Sequence, residues 1–142
     1  MEIEGYFLPD DFYYHKEHFW AKVEGDIVIT GTTDFAQKLA GQIVYVELPA
    51  VGRVVEQGKP CGAMESGKWV GRIYAPVSGK VESTNQDLED TPELINDSPY
   101  EKGWLYKIRS SNLQEELKNL MKGASVVEFI KSEIERVKKM KE

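Results

Sequence analysis

Short strand-like segments separated by turn residues run through most of this chain, and they limit its fold more than any other feature. Runs of β-branched and aromatic residues cover residues 19–23, 27–30 and 43–48, and Gly or Pro bounds each run. The first two flank a turn that contains Gly25, which predicts a β-hairpin. Many short strands at regular spacing are typical of a β-sandwich or a partly open barrel.

Two segments carry helical signals. Residues 33–40 are predicted to form a short internal helix, with Asp34 as its N-cap and Gly41 as a stop in the left-handed αL conformation. Near the C-terminus, a helix over about residues 125–139 is predicted from the spacing of apolar side chains. These side chains are Val127, Ile130, Ile134 and Val137. The fold class is therefore mainly β (α+β), with a short internal helix and a C-terminal helix.

Charge and cysteine content exclude several classes of protein. Lys and Arg total 18 and Asp and Glu total 24, a formal net charge of -6, so nucleic acid is not an expected partner. Cys61 is the only cysteine, which excludes an internal disulfide, and its apolar neighbours predict a small buried side chain. Because no apolar run is long enough for a signal peptide or a membrane span, we expect a cytoplasmic protein without a membrane partner. We expect residues 1–142 to form a single domain and a monomer.

The chain offers little chemistry of its own. His15 and His18 are the only histidines, and no cluster of thiolates or carboxylates accompanies them to complete a metal site. No sequence motif for an activated nucleophile is evident. We therefore predict neither a resident metal nor an enzyme activity.

A second hairpin is predicted over residues 62–78, with Ser66, Gly67 and Lys68 at its bend. Gly67 tolerates a positive φ, so a tight reversal there would hold the Lys68 side chain out in water. The same residues fit G-x-x-x-x-G-K, but Trp69 replaces the Ser or Thr of a phosphate-binding loop and a strand pattern follows instead of a helix. The local pattern leaves open whether Lys68 is a solvated turn residue or a site of modification.

Several separated blocks of the chain resemble the H protein of the glycine cleavage system. The similarity runs in order from about Tyr14 to Val137, with the spacing between blocks kept. The blocks are residues 14–20, 31–37, 41–49, 51–52, 65–68, 73–79, 90–96 and 98–104.

This resemblance implies a lipoyl carrier. The implied fold is the lipoyl/biotinyl-carrier-like barrel-sandwich hybrid of two small sheets, and the implied cofactor is lipoic acid joined covalently to Lys68. Glu65, Ser66 and Gly67 would form the hairpin around that lysine. Acylation removes the ammonium charge and leaves a long arm that ends in a cyclic disulfide.

The resemblance also implies the partners. A lipoate ligase or a lipoyl transferase attaches the cofactor. Glycine decarboxylase then loads an aminomethyl group onto the arm, aminomethyltransferase removes it, and dihydrolipoyl dehydrogenase reoxidises the dithiol. The carrier itself supplies reach and effective concentration, and it is not an enzyme.

Four positions depart from the family pattern. The family has Glu-Ser-Val-Lys-Ala at the bend and His-Glu-Trp near the start, whereas this chain has Gly67 before the lysine and Trp69 after it, and His18 followed by Phe19. In the family, the acid of His-Glu-Trp and an acid four residues after the lysine help to hold the loaded arm's amine in a cleft. Phe19 and Arg72 stand at those two positions here, beside His18. We therefore predict that an aminomethyl arm is poorly held.

Three functions remain open from the sequence. One is the shuttle component of glycine cleavage. The second is an H-like lipoate carrier for another system, such as a heterodisulfide-reductase-like, sulfur-oxidising complex. The third is an interaction module in which Lys68 carries no cofactor. A biotinyl carrier fits less well, because it requires Met-Lys-Met where this chain has Gly-Lys-Trp.

Overall fold

The structure is a computed structural model that describes residues 1–141. Its strands form three antiparallel sheets of two, six and three strands. The strands are β1 Glu2–Ile3, β2 Tyr6–Phe7, β3 Tyr13–His15, β4 Phe19–Glu24, β5 Ile27–Thr32, β6 Ile43–Glu47, β7 Val54–Val55, β8 Pro60–Ser66, β9 Val70–Tyr74, β10 Gly79–Thr84 and β11 Tyr106–Ser110. The helices are α1 Asp34–Ala40, α2 Asp87–Asp90, α3 Leu94–Asp97, α4 Leu113–Glu116, which a 3₁₀ turn follows, and α5 Ala124–Lys141. The mainly-β class is confirmed, and the sheets form a sandwich-like arrangement rather than a closed barrel.

The six-stranded sheet is built around the first predicted hairpin. Its strand order is β3-β4-β5-β11-β10-β7, and β4 and β5 are joined at Gly25, where φ is +64°. A positive φ costs glycine little, so a tight turn forms there. Pairing of β11 with β5 and β10 then joins distant parts of the chain.

The three-stranded sheet carries the second hairpin. Its order is β6-β8-β9, so β8 lies in the middle and β9 forms an edge. The β8–β9 ladder ends at the pair Glu65 and Val70, immediately before the bend. Helix α1 leads directly into β6, which places the end of that helix next to the bend.

Helix α1 begins and ends slightly differently from the prediction. Its N-cap is Thr33 rather than Asp34, because the Thr33 hydroxyl accepts the Ala36 N–H at 3.2 Å. Gly41 does end the helix with a positive φ of +83°, but its ψ of −170° lies outside the αL region. The first turn is therefore capped one residue earlier, and the chain leaves the helix extended.

Helix α5 is slightly longer than the predicted segment over residues 125–139. Val126, Ile130 and Ile134 form its buried stripe. They pack in a cluster with the N-terminal segment and with Trp20 and Phe35. A second cluster lies between the six- and three-stranded sheets, and the cleft described below opens beside it.

Candidate functional site

The bend of the β8–β9 hairpin exposes Lys68 to solvent. The Ser66 N–H donates to the Trp69 carbonyl oxygen at 2.8 Å, so the chain reverses within the four residues from Ser66 to Trp69. Gly67, Lys68 and Trp69 are all exposed, whereas Ser66 is buried and Glu65 is half-buried. The structure therefore brings together the four residues predicted around the bend and presents the lysine at its tip.

Gly67 does not adopt the positive φ that the sequence predicted, and that expectation is wrong. Positive φ values occur at other glycines, but not at Gly67 or Lys68. A Cβ atom built at Gly67 would meet nothing within 4 Å. The bend therefore has no steric need for glycine at this position.

Ser66 holds the bend in place through its side chain. The Ser66 hydroxyl donates to the Ala40 carbonyl oxygen at 2.5 Å and accepts the Lys68 N–H at 3.3 Å. The first bond ties the bend to the C-terminal end of α1, which belongs to a different part of the chain. A hydrogen bond across the fold, rather than the conformation of Gly67, thus stabilises the reversal.

Asn96 holds the surface on which the lysine side chain rests. Its amide oxygen accepts the Ile43 N–H at 2.8 Å, and its amide nitrogen donates to the Gly41 carbonyl oxygen at 2.8 Å. A Cβ atom at Gly41 would come within 3.0 Å of the Lys68 Cε. Sequence reasoning missed this role of Asn96, because nothing in the local pattern shows that its amide joins α1 to β6.

A cleft of about 610 Å³ opens beside the bend. Apolar side chains from α1, from the β8–β9 hairpin and from the last turns of α5 form most of its wall. They include Leu39, Ala40, Ile43, Met64, Trp69, Tyr74, Val137 and Met140. Such a lining suits an extended hydrocarbon chain better than a charged ligand.

The three predicted cleft residues, His18, Phe19 and Arg72, all line this cleft. The structure adds Glu17, which supplies the only carboxylate among the described residues of the lining, and Arg136 from α5. Sequence reasoning missed both residues. Glu17 precedes His18 directly, so its place could have been inferred from the neighbouring motif, whereas Arg136 could not.

Phe19 is a core residue as well as part of the cleft wall. It is only 3% exposed and belongs to the cluster between the sheets. Arg72, by contrast, is exposed. The two family-divergent positions therefore differ in their tolerance of substitution, which the sequence alone did not show.

His18 fastens α5 to the edge of the cleft. Its Nε2 lies 2.7 Å from Oε1 of Glu133, and its ring stacks on Phe129 at 5.1 Å between centroids. Burial lowers the pKa of His18, and hydrogen bonding to Glu133 only partly opposes this effect. Nε2 is the donor in this contact, because an ionised carboxylate oxygen can only accept. Hydrogen bonds from Arg136, and then from His18, hold the pKa of Glu133 below its usual value.

Cys61 is buried, as the sequence predicted. It is 5% exposed, and its Sγ lies 3.2 Å from the Tyr106 hydroxyl oxygen. Burial raises the pKa of the Cys61 thiol, which disfavours the reactive thiolate. Within residues 1–141 no helix has the length and apolar character needed to cross a membrane, and no group of three or more metal-ligating side chains is found.

Comparison with known proteins identifies the family. The family model described as "Glycine cleavage H-protein" matches residues 12–133. The chain belongs to the glycine cleavage H-protein family. It is 47% identical to the probable glycine cleavage system H protein of Pyrococcus furiosus, over 93% of this chain and 98% of that protein. It is also 48% identical to the glycine cleavage system H protein of Halalkalibacterium halodurans, over 89% of this chain and 98% of the relative.

A solved structure of an H protein has the same fold as this family member. The crystal structure of a glycine cleavage system H protein from Mycobacterium marinum matches with a TM-score of 0.70 and 33% sequence identity. The alignment covers 78% of this chain and 97% of the other. The fold expected from the resemblance is therefore confirmed.

Proposed function

We propose that this H-protein family member is a lipoyl carrier and that lipoic acid is joined to the amine of Lys68. The observation that carries the proposal is an exposed lysine at the tip of an anchored hairpin, next to an apolar cleft. The relatives described above are named for glycine cleavage, which favours that system as the partner. None of them is named for sulfur oxidation, so the sulfur-oxidising alternative is without support.

The residues around Lys68 fit a covalently attached arm. Ser66 ties the backbone before the lysine to the end of α1, and Asn96 joins that helix end to β6, so the bend has a fixed place beside the cleft. The apolar wall of the cleft provides a surface for a hydrocarbon chain. When bound, lipoic acid supplies a cyclic disulfide that accepts the aminomethyl group and is opened to a thiol as it does so.

Attachment uses the chemistry of the lysine amine. The carboxyl group of lipoate is first activated by ATP, which releases pyrophosphate. The Lys68 amine then forms an amide bond with the carboxyl carbon, the bond from that carbon to AMP breaks, and AMP leaves. The amine proton passes to solvent, and the positive charge of the side chain is lost.

The partners follow from the same proposal. A lipoate ligase or lipoyl transferase attaches the cofactor, and glycine decarboxylase, aminomethyltransferase and dihydrolipoyl dehydrogenase act on the arm in turn. The carrier contributes proximity, because tethering converts each encounter with the reactive group into a local event. Its cleft residues bind and orient, and they do not catalyse.

Modification of purified protein tests the proposal. The protein is incubated with a lipoate ligase, ATP and lipoate, and the product is analysed by intact mass and peptide mapping. We expect one lipoyl group on Lys68, none on Lys68→Arg, and an unchanged yield on Lys59→Arg, which alters another exposed lysine. A lipoyl group on the Lys68→Arg protein would overturn the assignment.

A further inference from the structure

The last turns of α5 form one wall of the cleft but have little packing of their own. The buried stripe of this helix ends at Ile134. Beyond it, the cleft is lined by Arg136, Val137 and Met140. None of residues 135–140, all of which the structure describes, is fully buried, and we call these residues the distal turns. Helix ends with few buried contacts open locally more easily than the core, so this wall needs another attachment.

His18 makes that attachment from the turn before β4. Its Nε2 lies 2.7 Å from Oε1 of Glu133, which directly precedes the last buried residue of α5. The two side chains are only 13% and 14% exposed, so water competes weakly for the contact. Nδ1 of His18 is buried and has no hydrogen-bond partner among residues 1–141. The orientation of the ring therefore depends on Glu133.

Glu133 connects His18 to the distal turns. Its Oε2 accepts the Arg136 Nε–H at 2.9 Å, and its Oε1, which also contacts His18, accepts from a terminal nitrogen of Arg136 at 3.1 Å. Two parallel hydrogen bonds fix the plane of a guanidinium group as well as its distance. Because Arg136 lines the cleft, His18 and Glu133 together fix a residue of the cleft wall.

The backbone of His18 is held in a conformation that places its ring between α1 and α5. His18 has a φ of +70°, which is uncommon for a residue other than glycine. Its N–H donates to the His15 carbonyl oxygen at 2.9 Å, and its carbonyl oxygen accepts the Thr33 N–H at 3.1 Å. The ring centroid lies 4.9 Å from that of Phe35 on α1 and 5.1 Å from that of Phe129 on α5. Strained residues of this kind are concentrated at functional positions.

We propose that the distal turns of α5 are a movable lid of the cleft and that the hydrogen bond from His18 to Glu133 is the latch that keeps the lid closed. This inference rests on the proposed function, because the lid serves to retain the lipoyl arm. The closed lid supplies the α5 side of the cleft wall, and its opening admits water. His18 acts through Glu133, so it is a positioning residue and not a catalytic one.

Hydrogen–deuterium exchange of the protein before lipoylation tests the latch by itself. Glu133→Ala removes the acceptor, so we expect the amides of the distal turns to exchange about tenfold faster. The matched control is Glu135→Ala, which removes a contact with Lys138 at 3.9 Å on the same helix and leaves the latch intact. Alanine has a higher helix propensity than glutamate, so propensity alone would slow exchange in both variants.

Two substitutions at His18 separate the latch from the packing of the ring. Glutamine places its amide nitrogen near the position of Nε2, whereas the shorter asparagine ends near Nδ1 and does not reach Glu133. Both remove the aromatic ring. Asparagine tolerates a positive φ better than glutamine does, so backbone strain would favour His18→Asn. We nevertheless expect the distal turns to exchange at least about threefold more slowly in His18→Gln than in His18→Asn.

Retention of the aminomethyl group tests the lid in the lipoylated protein. The protein is loaded by glycine decarboxylase, and the half-life of the loaded form is measured without transferase. We expect a half-life about tenfold shorter for Glu133→Ala and an unchanged one for Glu135→Ala. His18→Gln should hold the group longer than His18→Asn, which a role in core packing alone would not produce.

The exchange and retention measurements separate the possible failures. If the unmodified protein is not acylated at Lys68, the proposed function fails and the retention role fails with it, while exchange still decides the latch. If Glu133→Ala and His18→Asn exchange like the Glu135→Ala control, the latch is overturned and the function stands. If they exchange faster but retain the group as long as the control does, the lid is overturned.

Exchange at β4 and β5 controls for a loss of overall stability. These strands lie in the six-stranded sheet, so their amides should exchange equally in all variants if only the distal turns open. If they also exchange faster in Glu133→Ala, the comparison of His18→Gln with His18→Asn decides. Equal exchange of the distal turns in those two variants then overturns the latch.

Discussion

The two faces of the β8–β9 hairpin are formed by alternate residues of the same strands. Because one face is buried and the other is exposed, they should differ in how well they tolerate substitution. On the cleft face, Met64 and Ile73 are 3% and 0% exposed and pack in the core. On the outer face, Val70 is 73% exposed. We therefore expect changes on the cleft face to lower stability, whereas changes on the outer face should leave the core packing intact.

The largest expected difference is in the free energy of unfolding, between the variants Phe19→Glu and Arg72→Asp. This change removes a buried aromatic side chain and introduces a carboxylate at a site that is 3% exposed, so it should lower the free energy of unfolding by about 3–5 kcal/mol. Urea denaturation followed by circular dichroism measures the loss. Arg72→Asp, at an exposed position of the same cleft, should stay within about 0.5 kcal/mol of the unmodified protein. Equal stability of the two variants would show that Phe19 is not a core residue.

A smaller difference in stability is expected between alanine substitutions at Gly41 and Gly67, the two glycines beside Lys68. Gly41 has φ +83° and ψ −170°, a conformation that other residues seldom adopt, and its missing Cβ leaves room for the Lys68 stem. Gly41→Ala should therefore cost about 1–3 kcal/mol. Gly67→Ala should change neither the free energy of unfolding nor the lipoylation rate, because a Cβ there meets open space. A slower lipoylation of Gly67→Ala would restore the role that the sequence suggested for this glycine.

The smallest effect concerns how long the cleft retains an aminomethyl arm. We expect Arg72 to repel the arm's ammonium group and Glu17 to attract it, and because both are exposed, each should contribute at most about 1 kcal/mol. After loading by glycine decarboxylase, Arg72→Asp should lengthen the half-life of the loaded form without transferase about two- to fivefold, and Glu17→Gln should shorten it.

Salt provides the control for this measurement. The effects of Arg72→Asp and Glu17→Gln on the half-life should both become smaller as ionic strength rises, because salt screens interactions between exposed charges. If Arg72→Asp releases its cargo as quickly as the unmodified protein, the charge of the cleft does not control retention. Phe19→Glu is unsuitable for this measurement, because loss of core packing would be mixed with any gain of charge.

Patterns of residues that are close in the sequence were sufficient to predict much of the fold. The β4–β5 hairpin needed only two β-rich runs around Gly25, and helix α5 needed only apolar residues at helical spacing. The position of Lys68 at a bend followed from the strand-like arms on either side. Its lipoylation stays a prediction, because neither the fold nor the family match examines the modified amine.

Contacts between distant segments account for what the sequence did not reveal. The bend at Gly67 is held by Ser66 bonding to Ala40, and the Asp34 carboxylate, predicted to cap α1, instead accepts the Phe7 N–H from the N-terminal segment.

The sequence by itself determined the mainly-β architecture, the two hairpins and the lysine at a bend, because these depend on neighbours along the chain. Only the tertiary structure decided that Glu17 and Arg136 line one cleft and that Tyr45, Glu65 and Val70 form one outward row. Those arrangements depend on strand register and on the docking of α5. A one-residue shift in register would move every side chain of a strand to the opposite face.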